Sequence, residues 1–330
     1  MIVDLFAGPG GWTTGLRMLG LAEVGLEWDR HAVATRVAAG HKMTIRCDVA
    51  AYPTAPFAGR ATALIASPPC QPYSAAGTGA GIQDQDHVAQ AIEDLAAGRD
   101  TRDQLRAACN DERSLLAAEP MRYIHDLRPQ TVLLEQVPAV LALWRQYATI
   151  LRGWGYSAWC DLVDAADYGL PQNRRRAVLA ASRILDVAPP APTHSRHHDL
   201  FTPSWVTMAD ALDIPDTWTL KYRRDSPKWV AQHGPRPDRP ATRPAPTITG
   251  EAHRWKWLTP DGDLHPLEVW QAGVLQGFPA DYPWAGPRTR QMLQAGNAVP
   301  PLLAAHVAAA GLGIDIAKHL ADRATAIPAA

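Results

Sequence analysis

A cysteine framed by prolines at the end of an apolar run is the residue in this chain best placed to bond covalently with a substrate. Ser67-Pro68-Pro69-Cys70-Gln71-Pro72-Tyr73-Ser74 follows the strand-length run Ala63 to Ala66. Proline cannot join the ladder of a central sheet, so Cys70 stands outside it at the carboxyl edge, where α/β sites lie. A lone cysteine is more often buried packing than a nucleophile. The proline frame separates Cys70 from Cys47, Cys109 and Cys160, which read as structural. Val132-Leu133-Leu134-Glu135-Gln136-Val137-Pro138 puts a carboxylate at the end of another buried run, a costly place without a partner or a task. Gln172-Asn173-Arg174-Arg175-Arg176 enters the run Ala177 to Ala181, and alternation sets Arg174 and Arg176 on one face and Arg175 on the other. A structural Glu135–arginine ion pair and a pair acting on substrate are both open on this pattern.

A second group could hold a nucleoside. Asp4-Leu5-Phe6-Ala7-Gly8-Pro9-Gly10-Gly11 sits at a strand-to-helix turn, where glycine permits close backbone approach to a ligand. Glu27 ends the next strand about 20 residues on, the place of a carboxylate that takes both ribose hydroxyls. Trp28 could cover an adenine face, and Asp48, after a third short strand, could accept from the adenine amino group. The spacing is G-x-G-G and not G-x-G-x-x-G, which makes a nicotinamide dinucleotide the less natural guest.

The elements that must position these groups follow from pattern. At 330 residues, the chain is one large domain or a domain with a smaller companion. Hydrophobic residues at 47% and charged residues at 20% are ordinary globular values. A net charge of -1 excludes a polybasic protein but leaves room for a local basic face. No apolar run reaches the roughly 18 residues of a membrane span, and the MIVDLF start carries no basic signal region. A cytoplasmic protein of a reducing compartment is the expectation. Four cysteines without C-x-x-C or histidine spacing argue against a disulfide framework and a zinc site. Short apolar runs at 2–6, 22–26, 63–66, 131–134 and 177–181 alternate with helical stretches at 13–19 and 30–39. That alternation predicts an α/β fold with a mostly parallel sheet. After Leu185 prolines cluster, and Trp218 to Trp257 holds nine Lys/Arg against three acids. By composition alone this is a solvated loop; with Trp229, Trp255 and Trp257 interleaved it also fits a phosphate-contacting surface. A helical pattern returns from Leu302 to Leu320.

Taken together and in order, the blocks DLFAGPGG (4–11), EW (27–28), D (48), PPCQPYS (68–74), DERSLL (111–116), EQVP (135–138), YGLPQNRRR (168–176), RPAPTIT (243–249) and GNAVP (296–300) resemble the cytosine-5 DNA methyltransferases dependent on S-adenosylmethionine. The resemblance spans nearly the whole chain. It implies a class I methyltransferase (Rossmann-like) α/β fold: a mixed, mostly parallel sheet with a small target-recognition lobe, DNA lying between them. The implied division is 1–185 catalytic and cofactor-binding, 186–265 target recognition, and 266–330 a return to the catalytic domain. The implied catalytic residues are Cys70 as nucleophile, Glu135 as acid, and Arg174 and Arg176, with Arg174 holding either a loop or Glu135. Cofactor positions are Phe6, Ala7, Gly8, Pro9, Gly10, Gly11, Glu27, Trp28, Asp48 and Val49, then Ser67, Pro69, Leu116, Asn297, Ala298 and Val299. Gln71, Ser74, Gln136, Gln172, Arg223, Arg224, Arg236 and Arg239 are the candidates for base or DNA contact. The cofactor is S-adenosylmethionine, leaving S-adenosylhomocysteine, with no metal. The partners are double-stranded DNA and, in a restriction system, a cognate endonuclease; the expected state is a monomer in a bacterial or phage-infected cell.

Three features depart from the family pattern. Gln136 stands where asparagine is usual, longer by one methylene. A polar stretch from Asp84 to Asn110, helical near Val88 to Ala97 and Asp103 to Ala108, extends the segment after the nucleophile; a surface excursion is the simplest expectation, because long insertions cost little. The variable region, Thr219 to Arg243, is short, which predicts a recognition sequence of roughly two to four base pairs. Two other functions compete: an RNA cytosine-5 methyltransferase, and a catalytically inactive DNA-binding module. The basic stretch favours DNA over RNA, and the intact catalytic positions disfavour the module.

Overall fold

The computed structural model describes residues 1–74, 79–197, 202–221 and 238–319. Arg223, Arg224 and Arg236 lie outside the described residues, so Arg239 is the one of the four offered lobe arginines that is placed.

Seven strands form the main sheet: β1 (Ile2–Leu5), β2 (Glu23–Glu27), β3 (Thr44–Arg46), β4 (Ala63–Ala66), β5 (Thr131–Gln136), β6 (Ser157–Asp164) and β7 (Arg175–Ser182). Their order is β3-β2-β1-β4-β5-β7-β6. Pairing is parallel except at β7, which runs antiparallel to both β5 and β6. The mixed, mostly parallel sheet agrees with expectation. Strand β6, which the apolar runs did not indicate, is a half-exposed edge strand in which only Val163 is buried. The topology reverses between β1 and β4, and a doubly wound sheet opens its ligand crevice at such a point. The glycine turn leaves β1 there, and the Cys70 loop leaves β4 beside it.

The helices are α1 (Gly11–Met18), α2 (Arg30–Ala38), α3 (Ala80–Gln83), α4 (Gln85–Ala96), α5 (Arg102–Ala108), α6 (Glu119–Leu127), α7 (Leu141–Gly153), α8 (Met208–Leu212), α9 (Val269–Leu275), α10 (Arg288–Asn297) and α11 (Pro301–Leu312). Strand alternation feeds two cores. Leu64, Val132 and Leu134 face α4, α6 and α7, whereas Ile65 and Leu133 face α1 and α11. A sheet covered on both faces needs the continuous apolar runs seen in the sequence.

A smaller sheet, β8 (Thr219–Lys221), β9 (Arg239–Pro240), β10 (Lys256–Leu258) and β11 (Leu264–Pro266), has the order β11-β10-β8-β9. Its core joins Leu220 and Trp257 to Leu275 and Met292, so α9 and α10 pack with this lobe. The lobe's core therefore extends past Pro266, where the sequence reading returned to the catalytic domain; it is α11 that rejoins the main sheet.

Three features differ from expectation. The Asp84–Asn110 stretch is not a surface excursion: α4 buries Val88, Ala91, Ile92 and Leu95 in the main core. Arg102 anchors α5 through two 2.8 Å bonds to the buried Glu119 carboxylate. Helix α11 ends at Leu312, where Gly313 turns left-handed (φ 67), and a further helical turn covers 316–319, so the expected helical stretch is interrupted. One stretch, Arg288–Leu312, is long and apolar enough to cross a membrane by composition, contrary to expectation; here it is two helices broken before Pro301, and its apolar window is 78% buried in the fold.

Candidate active site

A cavity of about 630 Å³ opens along the carboxyl edge of the main sheet, and both groups of candidate residues line it. Cys70, Gln71, Glu135, Gln136, Arg174 and Arg176 contribute to its wall, as do Phe6, Gly8, Pro9, Glu27, Trp28 and Asp48. Val49, Ser67, Pro69, Leu116 and Asn297 complete the predicted lining.

Cys70 is held by its own loop. The N–H groups of Tyr73 and Ser74 donate to the Cys70 carbonyl at 3.0 and 2.9 Å, closing a turn around the cysteine. Tyr73 Oη donates to the Ser114 carbonyl at 2.8 Å. Gln136 Nε2 donates to the Pro68 carbonyl at 2.5 Å, while Gln136 Oε1 accepts from Val137 N at 2.6 Å. The longer side chain thus braces the proline frame from β5. Burial pushes the Cys70 thiol above its ordinary value, against the pull of Arg176 and Arg174 and with a further push from Glu135.

The two arginines divide their work. Arg176 Nε pairs with Glu135 Oε1 at 2.9 Å, both side chains buried yet bordering the cavity, so the ion pair exists and lies within the site. Arg174 holds loops and not Glu135. Its guanidinium donates to the carbonyls of Ile248, Gly296 and Ala298 at 2.8, 3.0 and 3.1 Å. Burial and the neighbouring Arg176 lower its pKa to about 9. Arg175 points to solvent, as alternation requires.

On the opposite side of the reversal, Glu27 Oε2 accepts from Gly8 N and Oε1 from Asp29 N, each at 2.7 Å. These bonds pull its pKa down but do not overcome burial, which leaves it raised. The carboxylate therefore shapes the glycine turn while facing the cavity. Phe6 holds a left-handed φ of 60°, a strained backbone of the kind that collects at ligand sites. Trp28 is 69% exposed on the cavity wall, an open ring face suited to stacking.

Several predicted residues do not line the cavity. Ala7, Gly10, Gly11, Ala298 and Val299 are not among its lining residues. A Cβ on Gly11 would lie 2.1 Å from the Val299 carbonyl, so glycine lets α1 abut the GNAVP segment. Ser74 lies in the Cys70 turn. Gln172, fully buried, straps Leu275, Gln276 and Ile248 together. Arg239 sits on β9, paired with Leu220. Conversely, Arg290, Leu293 and Gln294 line the cavity unforeseen. With Asn297 they recur at i, i+3, i+4 and i+7 of α10, a helical face readable from the sequence. Arg106, on α5 of the packed 84–110 stretch, and Arg113, just after that stretch, also reach the wall. Asp84, His87 and Cys109 place possible ligand atoms within 4.8 Å of one another. The Asp84 carboxylate is already taken by four donors, from Asn110 N and Nδ2, Asp111 N and Ser114 Oγ.

A sheet reversed at β1/β4, a glycine turn with a cavity-facing acid, and a framed cysteine on the same cavity fit a class I methyltransferase. Residues 1–94 and 104–213 match the family model described as C-5 cytosine-specific DNA methylase. The chain is 28% identical over 335 residues to a type II methyltransferase, M.AplI, of Arthrospira platensis, covering 93% of this chain and 84% of that protein. It is 24% identical to the type II methyltransferase M1.HphI of Haemophilus parahaemolyticus, covering 94% and 86%. The fold is shared with the S. pombe Dnmt2 methyltransferase, at a TM-score of 0.65, 14% identity, and 94% and 98% coverage. It is also shared with the Entamoeba histolytica methyltransferase EhMeth, at 0.61, 13%, and 94% and 97%. The chain belongs to the C-5 cytosine-specific DNA methylase family. It is a DNA (cytosine-5-)-methyltransferase, of a family that uses S-adenosylmethionine.

Proposed function

We propose that this enzyme methylates carbon 5 of a cytosine turned out of the DNA duplex, with Cys70 as covalent nucleophile. The carrying observation is that Cys70, Glu135 and Arg176 border the same cavity as Glu27, Trp28 and Asp48. The donor set fits an adenosine-bearing cofactor: a carboxylate for the ribose, an open indole face, and a second acid. S-adenosylmethionine, when bound, supplies an electrophilic methyl group. The protein must supply a nucleophilic carbon, because carbon 5 of cytosine is too weak unaided. Cys70 thiolate adds to carbon 6 and makes carbon 5 an enamine carbon. With the base in place, Glu135 shares a proton with ring nitrogen 3 and accepts from the exocyclic amine, withdrawing the charge that addition creates. Arg176, beside Glu135, serves the ring carbonyl oxygen. Loss of the carbon 5 proton then expels Cys70 and releases 5-methylcytosine. A stacked base could not reach this cavity, so the target must be flipped.

The small lobe, with Arg239 and the arginines around 223–236, is proposed to read a short sequence. The type II relatives support a restriction–modification setting with a cognate endonuclease. A cytoplasmic monomer is the proposed working form. Base-resolution conversion sequencing of an unmodified plasmid, treated with protein and cofactor, tests the reading against a Cys70→Ser control. Methylation at one short motif, absent from the control, is expected. Methylation by the control would remove the covalent step; modification of RNA with none of DNA would move the substrate.

A further inference from the structure

The glycine turn of the cofactor site is held from behind by two residues that do not border the cavity. Tyr282 Oη donates to the Pro9 carbonyl at 2.6 Å. A carbonyl cannot donate, so the Tyr282 hydroxyl proton is committed to Pro9. His41 Nε2 lies 3.1 Å from the same hydroxyl and must therefore supply the N–H. Both side chains are buried, at 8% and 3% exposure. Burial first, then Arg36 and Arg17, lower the His41 pKa to about 3, which keeps the ring neutral with a single N–H to give. The pair stands directly against Gly10, whose φ is 107°: a Cβ there would lie 2.5 Å from His41 Nε2 and 3.0 Å from Tyr282 Oη. Tyr282 is in turn wedged between Phe278 and Trp284, with ring centroids at 4.5 and 4.8 Å. The segment that follows is tied to α2 and α10 through Thr35, which accepts from Ala285 N at 2.8 Å and donates to Gln294 Oε1 at 2.6 Å. Gln294 itself borders the cavity.

We propose that Tyr282 and His41 are positioning residues for the cofactor, a hydrogen-bonded relay that fixes the Pro9 carbonyl and with it the set of the glycine turn. The relay ties a segment near the C-terminal end to a turn at the N-terminus, 273 positions away in the chain. It acts on cofactor affinity and leaves the methyl-transfer chemistry at Cys70 untouched. The idea rests on the cofactor reading of this cavity.

The test measures S-adenosylhomocysteine binding by calorimetry, beside the KM for S-adenosylmethionine, kcat and the melting temperature, in wild type, Tyr282→Phe, His41→Leu and His41→Gln. Tyr282→Phe removes the donor to a buried carbonyl, and if the loosened turn forfeits about 1.4 kcal/mol of cofactor binding, the dissociation constant weakens about tenfold with a matching rise in cofactor KM. At saturating cofactor, kcat stays within about twofold of wild type by the same argument, and the KM for DNA is unchanged. His41→Leu follows with a smaller loss. His41→Gln, whose amide N–H can still donate to Tyr282, recovers most of it. A purely structural role lowers melting temperature in Tyr282→Phe and His41→Leu with affinity intact, and that result overturns the relay. So does a fall in kcat with cofactor KM unchanged, or a His41→Gln variant no better than His41→Leu. Wild-type protein that binds no S-adenosylhomocysteine would sink the cofactor reading and the relay together. Wild-type binding with unaltered variants would sink the relay alone.

Discussion

Cys70 sits where burial and two guanidinium groups oppose each other, and burial prevails. Its thiol is protonated near neutrality, and thiolate forms as pH rises. The single-turnover methylation rate should therefore climb from pH 7 to 9 without levelling off below about pH 8.5, the ordinary thiol value. A plateau already reached at pH 7 would show a depressed thiol and contradict this electrostatic balance. The neighbouring departure from the family, Gln136, is a reach problem solved by geometry. Its amide spans from β5 to the Pro68 carbonyl, two residues before Cys70. Gln136→Leu leaves that carbonyl and Val137 N without their partner, a loss of about 1–3 kcal/mol. The expected outcome is a lower melting temperature and about a tenfold fall in kcat, if misplacing the nucleophile costs roughly 1.4 kcal/mol of barrier. A variant with wild-type kcat would reduce Gln136 to a filler of space.

Among the elements, the 84–110 stretch changes most between sequence and structure. Polar composition predicted a surface excursion, yet α4 contributes an apolar stripe to the main core. Asp84 is the knot that closes it, binding backbone and side chains of 110–114 beside the Tyr73 anchor of the nucleophile loop. Burial pushes the Asp84 carboxyl up, but the donors from Asn110, Ser114 and Asp111 together hold it below the ordinary value. A depressed carboxyl contributes stability that is present above its unfolded value, about 3.9, and is lost as pH falls through the folded value. Asp84→Asn should accordingly melt well below wild type at pH 7, and the gap should narrow below about pH 4. Thermal melts across that range check it; a constant gap would mean the charge contributes nothing. Asp84→Asn should also slow methylation, because the same knot steadies the segment leading from Cys70.

For the whole molecule, Arg174 is the tie between lobes. Ile248 belongs to the small lobe's core, whereas Gly296 and Ala298 flank the cavity residue Asn297, and one guanidinium serves all three carbonyls. A lysine ammonium is a point donor without that planar spread. Arg174→Lys should lose about 2–4 kcal/mol of stability, as buried carbonyls go unpaired, measurable by urea denaturation. Unchanged stability would mean the lobes are held by apolar packing alone. Recognition is also a property at this scale. A lobe with one four-stranded sheet and a short variable region predicts a target of roughly two to four base pairs, and a six-base site in the sequencing experiment would contradict it.

The sequence alone determined most of the candidate site, because strand ends, prolines and glycines are local signals. Cys70, Glu135, Glu27 and Asp48 were legible as groups at the carboxyl edge of buried strands, and alternation alone put Arg174 and Arg176 together. The parallel order of the main sheet followed from apolar runs that a two-sided sheet requires. What pairs with what was not legible. Nothing local says that Arg176 meets Glu135 while Arg174 turns to Ile248, since both arginines share one face of one strand. Likewise, the polar 84–110 stretch hid an apolar stripe spaced for burial, and α9 and α10 joined the small lobe's core. Tyr282 and Pro9 are far apart in sequence and carry no shared motif that would pair them. Such contacts depend on how the chain closes on itself, and only the tertiary structure could decide them, because hydrogen bonds and ion pairs form by distance in space while sequence patterns report only the neighbours along a strand or a helix.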